Sequence, residues 1–263
     1  MSTTLPLPLD VRLMNLTTSL LATVLLLGCM AAGLWWALRN PAFAIGHITV
    51  EGDTAHNSAA SLRVNVAPRL SGNFFTLDLD DARAAFQSAP WVREAVVQRV
   101  FPNQLNVTLR EHVPAALWGE EDMHMVNVQG EVFEAAADDT DEELPRLLGP
   151  EGRAAEVLQM YRLLAPELEP LGQPLVGLAL EARGNWRAEL ESGALIQLGQ
   201  GQPEELRARL EQFARTAGEV AARHQRGPGS IASADLRHVS GYALRLRGVT
   251  TGSPEQTGTR STR

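Results

Sequence analysis

The first strong pattern along the chain is an unbroken apolar run. No charged side chain occurs from Leu13 to Leu38, and a helix needs about 20 apolar residues to cross a bilayer core. Two adjacent tryptophans near its end, Trp35 and Trp36, are typical of the membrane interface. The pattern therefore predicts a transmembrane helix over residues 13–38, preceded by a short tail over residues 1–12.

A cleaved signal peptide is the alternative interpretation of this run. Such a peptide has an apolar core of about 7–15 residues after a basic start, whereas this run is longer and Asp10 precedes it. Ala42-Phe43-Ala44 resembles a cleavage site but lies too far along, and Leu26-Leu27-Gly28-Cys29 resembles a lipoprotein box but lies in mid-span. We therefore expect a retained anchor with the short tail inside and the long segment outside.

Alternating and helical patterns follow the anchor over about 65 residues. Short turn signals separate them, including Gly52-Asp53 and Pro102-Asn103. Ser58 is placed to cap the first helix. The predicted order is strand, helix, helix, strand, strand, at residues 45–51, 59–70, 80–86, 91–101 and 105–111.

The second half of the chain mixes strands and helices. A strand-turn-strand pattern surrounds Gly130, and amphipathic helices are predicted from Arg153 to Leu164 and from Pro203 to Ala222. Further strands are expected at 175–180, 186–198 and in a last segment ending at Leu246. Together these patterns predict an α+β fold: one transmembrane helix, a β-α-α-β-β domain and a second region of strands and helices. The Gly/Ser/Thr-rich segment 249–263 is predicted to be a disordered tail.

Composition narrows the classes of function. The chain is 44% hydrophobic and 21% charged, which is typical of a globular protein. Its net charge of -8 and its lack of Lys/Arg runs do not favour binding to nucleic acid. The single cysteine, Cys29, lies in the apolar run, so the rest of the chain can form neither an internal disulfide nor a thiolate metal site.

Candidate catalytic and binding motifs are weak. Gly199 to Pro203 resembles a phosphate-binding loop, but it lacks the third glycine and the lysine of nucleotide motifs, and a turn before a helix explains it. The acidic segment 138–143 lacks the ligand spacing of a calcium loop. The six histidines are dispersed, and no nucleophile motif occurs. We expect no enzyme activity, cofactor, metal or small-molecule substrate.

Five stretches of the first half stand in a characteristic order and spacing: Ile48-Thr49-Val50-Glu51-Gly52, Asn73-Phe74-Phe75-Thr76-Leu77-Asp78, Pro90–Val97, Arg99–Leu105 and Arg110–Trp118. Val126–Phe133 and Leu144–Pro150 follow them in the second half. The order of these stretches resembles a POTRA domain and, in detail, the cell division protein FtsQ (DivIB) family. The resemblance implies that the second half is a mixed, largely antiparallel β domain with flanking helices.

The resemblance implies a division of the chain and a function. It implies a cytoplasmic tail over residues 1–12, a span over 13–38, a POTRA domain over 45–113 and an FtsQ-type β domain over 114–248. The implied function is a scaffold of the bacterial divisome that links early and late division proteins and regulates septal peptidoglycan synthesis. The implied location is the inner membrane at the division septum, single-pass, with the large domains in the periplasm. The implied partners are the coiled-coil division proteins FtsB and FtsL.

The resemblance also implies a partner-binding strand near the end of the chain. In that family the strand after an Asp-Leu-Arg motif docks the partners, and here that strand would begin at His238 and continue to Leu246. His238 and Leu246 replace aromatic residues of some relatives, and Tyr242 is expected to compensate in part. Core packing is the alternative role for Tyr242 and for Trp186. The implied partner-binding residues are Arg183, Asp235, Arg237, His238, Ser240, Tyr242 and Leu246.

Two other classes of protein remain as rivals. A POTRA-containing secretion or outer-membrane assembly component would handle substrate chains, but it should carry several such domains or the many alternating strands of a barrel. A cell-wall hydrolase is the enzymatic rival, which activity on purified peptidoglycan would test.

Overall fold

The fold is taken from a computed structural model, which describes residues 9–40, 43–58, 62, 64, 66–70, 72–238 and 241–248. The chain divides into two compact units, residues 1–111 and 112–263. The predicted tail at 249–263 and most of the predicted tail at 1–12 lie outside the described residues. The α+β prediction is confirmed.

The first unit begins with helix α1, Leu9–Arg39. Its segment Leu13–Trp36 is the one helix in the described residues long and apolar enough to cross a membrane, with a mean hydropathy of 1.8. A single transmembrane span therefore fits the chain. After it come strands β1 (His47–Gly52), β2 (Val92–Val100) and β3 (Gln104–Glu111), with helix α2 (Leu79–Gln87) before β2.

The strands of this unit form one sheet in the order β1-β3-β2. β1 runs parallel to β3, and β2 pairs antiparallel with β3 in the predicted hairpin. Alternation along β3 buries Leu105, Val107 and Leu109 on one face. Asp78 caps α2 by accepting hydrogen bonds from two free backbone N–H groups of its first turn. Of the helix predicted over residues 59–70, residues 62, 64 and 66 are helical and Ala67–Arg69 form a 3-10 helix, whereas residues 59–61, 63 and 65 lie outside the described residues.

A buried carboxylate fixes the loop after β1. The side chain of Glu111, 6% exposed, accepts hydrogen bonds from the backbone N–H groups of His56 and Asn57. The His56 ring lies 3.0 Å from the same carboxylate and stacks on Trp91 with ring centroids 3.7 Å apart. Burial acts to raise the pKa of Glu111, but the hydrogen bonds from His56 and Asn57 outweigh it and lower that pKa.

The second unit is built on a sheet of nine strands. They are β4 (Pro114–Trp118), β5 (His124–Asn127), β6 (Val132–Glu134), β7 (Arg146–Leu148), β8 (Leu175–Leu180), β9 (Trp186–Leu190), β10 (Leu195–Gly199), β11 (Ile231–Asp235) and β12 (Ala243–Leu246). Their order in the sheet is β12-β11-β10-β9-β8-β7-β4-β5-β6. Five of the eight strand pairs are antiparallel, and β4–β7, β7–β8 and β10–β11 are parallel.

Two helices complete the core of this unit: α3 (Ala154–Leu164) and α4 (Pro203–Arg223). α3 contacts β5, β7 and β8, and α4 contacts β10. Pro203 is the first residue of α4, so the preceding glycine-containing segment is the turn that leads into this helix. Trp186 is 4% exposed and packs in the core beneath these elements, as the alternative interpretation expects.

Candidate functional site

Strand β12 forms one edge of the nine-stranded sheet. It pairs antiparallel with β11, and no other strand of the described residues lies on its outer side. An edge strand carries backbone N–H and C=O groups that can pair with a strand of another chain. The register pairs Asp235 with Ala243, Ala234 with Leu244 and Ser233 with Arg245.

The register identifies which backbone groups of β12 face outward. The backbone N–H of Leu236 donates to the carbonyl of Gln197 in β10 at 2.8 Å, so the backbone groups of Leu236 point towards β10. Backbone groups of successive residues in a strand point to opposite edges. The backbone N–H and C=O of Asp235 therefore point towards β12, where Asp235 pairs with Ala243. The backbone groups of Ala243 point back to β11, so those of Leu244, the residue after Ala243, point to the open edge.

The side chains of β12 alternate between a covered and an exposed face. Tyr242, Leu244 and Leu246 pack against the core of the unit, and Leu246 is 8% exposed. Ala243 and Arg245 are exposed. The strand thus offers Ala243 and Arg245 to solvent, whereas Tyr242 and Leu246 of the predicted site face the core.

Tyr242 anchors the start of β12 to helix α4. Its ring meets the ring of Phe213 edge to face, with centroids 5.2 Å apart, and Phe213 is fully buried. Its hydroxyl lies 2.8 Å from the hydroxyl of Thr216. Thr216 donates its own hydrogen to the carbonyl of Gln212, so the phenol of Tyr242 is the donor to Thr216. The main role of Tyr242 within this chain is therefore to hold the edge strand on α4.

Asp235 and Arg237 form a clamp at the end of β11. Arg237 donates Nε and Nη2 to the two carboxylate oxygens of Asp235 at 2.9 and 2.6 Å, and its backbone N–H donates to the same carboxylate. These hydrogen bonds lower the pKa of Asp235 to about 2, so the carboxylate is charged at physiological pH. The clamp also needs Gly199, where an added Cβ would lie 2.8 Å from Cγ of Arg237.

A small pocket of about 100 Å³ lies between α4 and the connection from β11 to β12. It brings His238 and Tyr242 together beside the open edge. Its lining is Arg209, Gln212, Leu236, His238, Gly241 and Tyr242. A pocket of this size next to an edge strand can hold one apolar side chain of an added strand.

Arg183 lies apart from this pocket, on the turn between β8 and β9. It is exposed, and its guanidinium makes no ion pair within the described part of the chain. The Nε2 of Gln200 donates to the Arg183 carbonyl at 2.7 Å, which connects this turn to the segment beside Gly199. Arg183 lines a cleft of about 910 Å³ together with Met160, Trp186 and the start of α4.

The structure thus brings most of the predicted site residues to one end of the sheet. Asp235 and Arg237 form the clamp, His238 and Tyr242 line the small pocket, and the side chain of Leu246, the last residue of β12, lies in the core. Ser240 lies outside the described residues. The described strand begins at Ala243, later than the predicted start at His238, and residues 239 and 240 lie outside the described residues.

Sequence reasoning did not identify the outward-facing residues Ala243 and Arg245, or the outward backbone of Leu244. The segment Tyr242-Ala243-Leu244-Arg245-Leu246 alternates apolar and small or charged side chains. Because apolar side chains of an edge strand face the core, this alternation was a signal that Tyr242 and Leu246 point inward.

Two family models match most of the chain. A model described as "POTRA domain, FtsQ-type" matches residues 43–112, and one described as "Cell division protein FtsQ/DivIB, C-terminal" matches residues 116–237. Curated relatives named cell division protein FtsQ include those of Burkholderia pseudomallei, 42% identical over 91% of this chain and 94% of the relative, and Thiomonas arsenitoxydans, 38% identical over 92% and 89%. The relative from Bordetella pertussis is 35% identical over 90% and 92%.

Proposed function

Because the chain belongs to the FtsQ/DivIB family of cell division proteins, we propose that it is a scaffold of the divisome. In this role it links early and late division proteins and regulates septal peptidoglycan synthesis through contacts between proteins, without chemical turnover. The single observation that carries the proposal is the outer edge of β12, with which no other strand of the described residues pairs. An edge of this kind is a docking site for an extended segment of a partner.

The partner adds a strand to β12. The N–H and C=O of Leu244 form the new backbone hydrogen bonds, and the pocket between His238 and Tyr242 accepts one partner side chain. Ser240 is kept in the proposed site for its place in the sequence alone, since it lies outside the described residues. The buried side chain of Leu246 holds the end of β12 on the core of the unit.

The charged residues have two different roles in this proposal. Arg237 is held by Asp235 and shapes the end of β11, so its contribution to binding is indirect. The guanidinium of Arg183 is available to a partner carboxylate at the rim of the interface, where a charge mainly sets the association rate and the specificity.

The proposed partners are the periplasmic segments of FtsB and FtsL. Residues 1–12 form a cytoplasmic tail, residues 13–38 cross the inner membrane, and the domains at 45–113 and 114–248 lie in the periplasm near the septum. Anchors in one membrane confine the scaffold and its partners to one plane, which raises their effective concentration. Modest contacts along a short strand are then sufficient for a stable complex.

Substitutions of Leu244 test strand addition at a single backbone donor. Leu244→Pro removes the outward N–H while leaving the bonds of β12 to β11 in place, and an outward N–H of an edge strand is where proline is tolerated. Leu244→Val is the matched control because it keeps the donor and an apolar side chain. The full chain in detergent is mixed with the periplasmic segments of FtsB and FtsL, and binding is measured with thermal unfolding as a check of folding.

We expect the wild type and Leu244→Val to bind and folded Leu244→Pro to lose binding. Equal binding by all three proteins would contradict strand addition at β12 while leaving the partners in place. Absence of binding by the folded wild type would contradict the choice of FtsB and FtsL.

A further inference from the structure

Four phenylalanine rings of the first unit form a partly exposed chain of contacts, here called the aromatic cluster: Phe43, Phe74, Phe75 and Phe101. Phe75 meets Phe43 at a centroid distance of 5.0 Å and Phe74 at 5.3 Å, and Phe74 meets Phe101 at 6.2 Å. Phe74 is buried, but Phe75 is 49% exposed and Phe101 is 74% exposed. Exposure of several neighbouring aromatic rings marks a contact surface, since such patches are uncommon on a surface that meets only water.

Main-chain hydrogen bonds tie this cluster closely to the end of α1. α1 ends at Arg39, and four residues of extended chain reach at most about 14 Å. The N–H of Phe43 donates to the carbonyl of Asn40, which shortens that reach. The carbonyl of Phe43 in turn accepts from the N–H of Phe74 at 2.8 Å. Phe43 is therefore both next to the anchor and bound to the segment that carries the other rings.

The position of the cluster identifies the surface that it contacts. The polar interface of a bilayer is about 5–8 Å thick on each side of the hydrocarbon core, and aromatic rings accumulate there. Because Phe43 follows the anchor so closely, this lipid layer is always within reach of the rings. We propose that the aromatic cluster inserts into the lipid headgroup region and seats the first unit on the membrane surface.

The contact that we propose between the aromatic cluster and lipid is apolar, because the charges around the cluster do not explain an attraction to lipid headgroups. The cluster is followed directly by Asp78, Asp80 and Asp81 at the start of α2, and the whole chain has a net charge of -8. Arg99 lies beside the same turn and donates to the carbonyl of Leu77. The surface is therefore not basic, and we expect its membrane contact to persist in zwitterionic lipid and at high salt. This inference requires only that α1 spans the membrane and does not depend on the proposed division partners.

Spin labels at two ends of one hairpin test the proposal in the full chain. Cys29→Ala removes the single native cysteine, and Phe101→Cys then places one nitroxide label in the cluster. Arg110→Cys is the matched control, since Arg110 is 71% exposed and lies six residues beyond Gln104 along β3, a distance of about 20 Å. Both proteins are placed in phosphatidylcholine nanodiscs, and the accessibility of each label to an aqueous nickel reagent and to oxygen is measured.

We expect the label at residue 101 to be several-fold less accessible to the nickel reagent than the label at residue 110, and more accessible to oxygen. The difference should persist at high salt, and Phe75→Ser should move the label at residue 101 towards the accessibility of the control. Equal accessibility at the two positions would overturn the proposal. Shielding that appears only when two protein molecules share a disc would also overturn it, because a second copy would then cover the cluster.

Discussion

The anchoring of β12 by Tyr242 leads to a prediction with a defined magnitude. Tyr242→Phe removes the hydrogen bond to Thr216 while keeping the ring against Phe213. A neutral hydrogen bond of this kind stabilises a protein by about 0.5–1.5 kcal/mol. Because the bond joins β12 to α4, its loss should appear as easier opening of β12.

Native-state hydrogen exchange of the full chain is the suitable assay, since it measures the opening of one strand without requiring the whole chain to unfold in one step. The reporters are the amides of Ala243 and Arg245, which face β11. The expected loss in free energy corresponds to exchange about two- to twelvefold faster in Tyr242→Phe. Thr216→Val should have a similar effect because it removes the acceptor of the same bond.

The double variant separates this bond from other effects. If the two hydroxyl groups act as a pair, the double variant should exchange about as fast as either single variant. Unchanged exchange in Tyr242→Phe, or a double variant whose effect equals the sum of the single effects, would refute the anchoring role. Tyr242→Glu would be a poor test of partner binding, because a charge beside the buried Phe213 ring would disturb the strand itself.

Three further predictions concern stability and binding. The pKa of Glu111 in the folded protein is lower than its ordinary value of 4.5, so the ionised carboxylate stabilises the fold at pH values above 4.5. This stability is lost as the pH falls through the lowered pKa. Glu111→Gln should therefore be less stable than wild type at pH 7 in thermal unfolding and lose this disadvantage in acid. Gly130→Ala should destabilise the protein by about 2–4 kcal/mol, since its φ is +88° and a Cβ would lie 2.7 Å from Cα of Ala155. At Gly152 φ is +77° but an added Cβ would meet open space, so Gly152→Ala should cost only about 1–2 kcal/mol, and denaturant titration of both glycine variants measures the difference. Arg183→Glu should slow association with a partner mainly at low salt, and an effect independent of salt in stopped-flow mixing would argue against a rim contact.

Local patterns predicted the elements better than their arrangement. The helix expected from Pro203 to Ala222 runs to Arg223, and the helix expected from Arg153 to Leu164 begins one residue later. The apolar periodicity and the end signals of these helices are local, so a single sequence is enough to predict where the helices lie. The parallel pairing of β10 with β11 joins strands separated by the whole of α4, and no local pattern encodes it.

The candidate site was predicted in location more than in detail. Alternation around Tyr242 divides the residues of β12 between two faces, but it does not say that α4 covers the face of Tyr242. The clamp between Asp235 and Arg237 joins residues two apart, yet the two side chains were expected to contact a partner rather than each other. The outward backbone of Leu244 follows from the register, which only the assembled sheet supplies.

The central claim is that a partner strand pairs with the open edge of β12, and the backbone amide of Leu244 reports on it most directly. Hydrogen exchange at this amide is to be measured in the full chain with and without the periplasmic segments of FtsB and FtsL. The proposal predicts strong additional protection of the Leu244 amide in the complex, with little change at Ala243, which is already bonded to β11. A bound complex in which the Leu244 amide exchanges as fast as in the free chain would contradict strand addition at this edge.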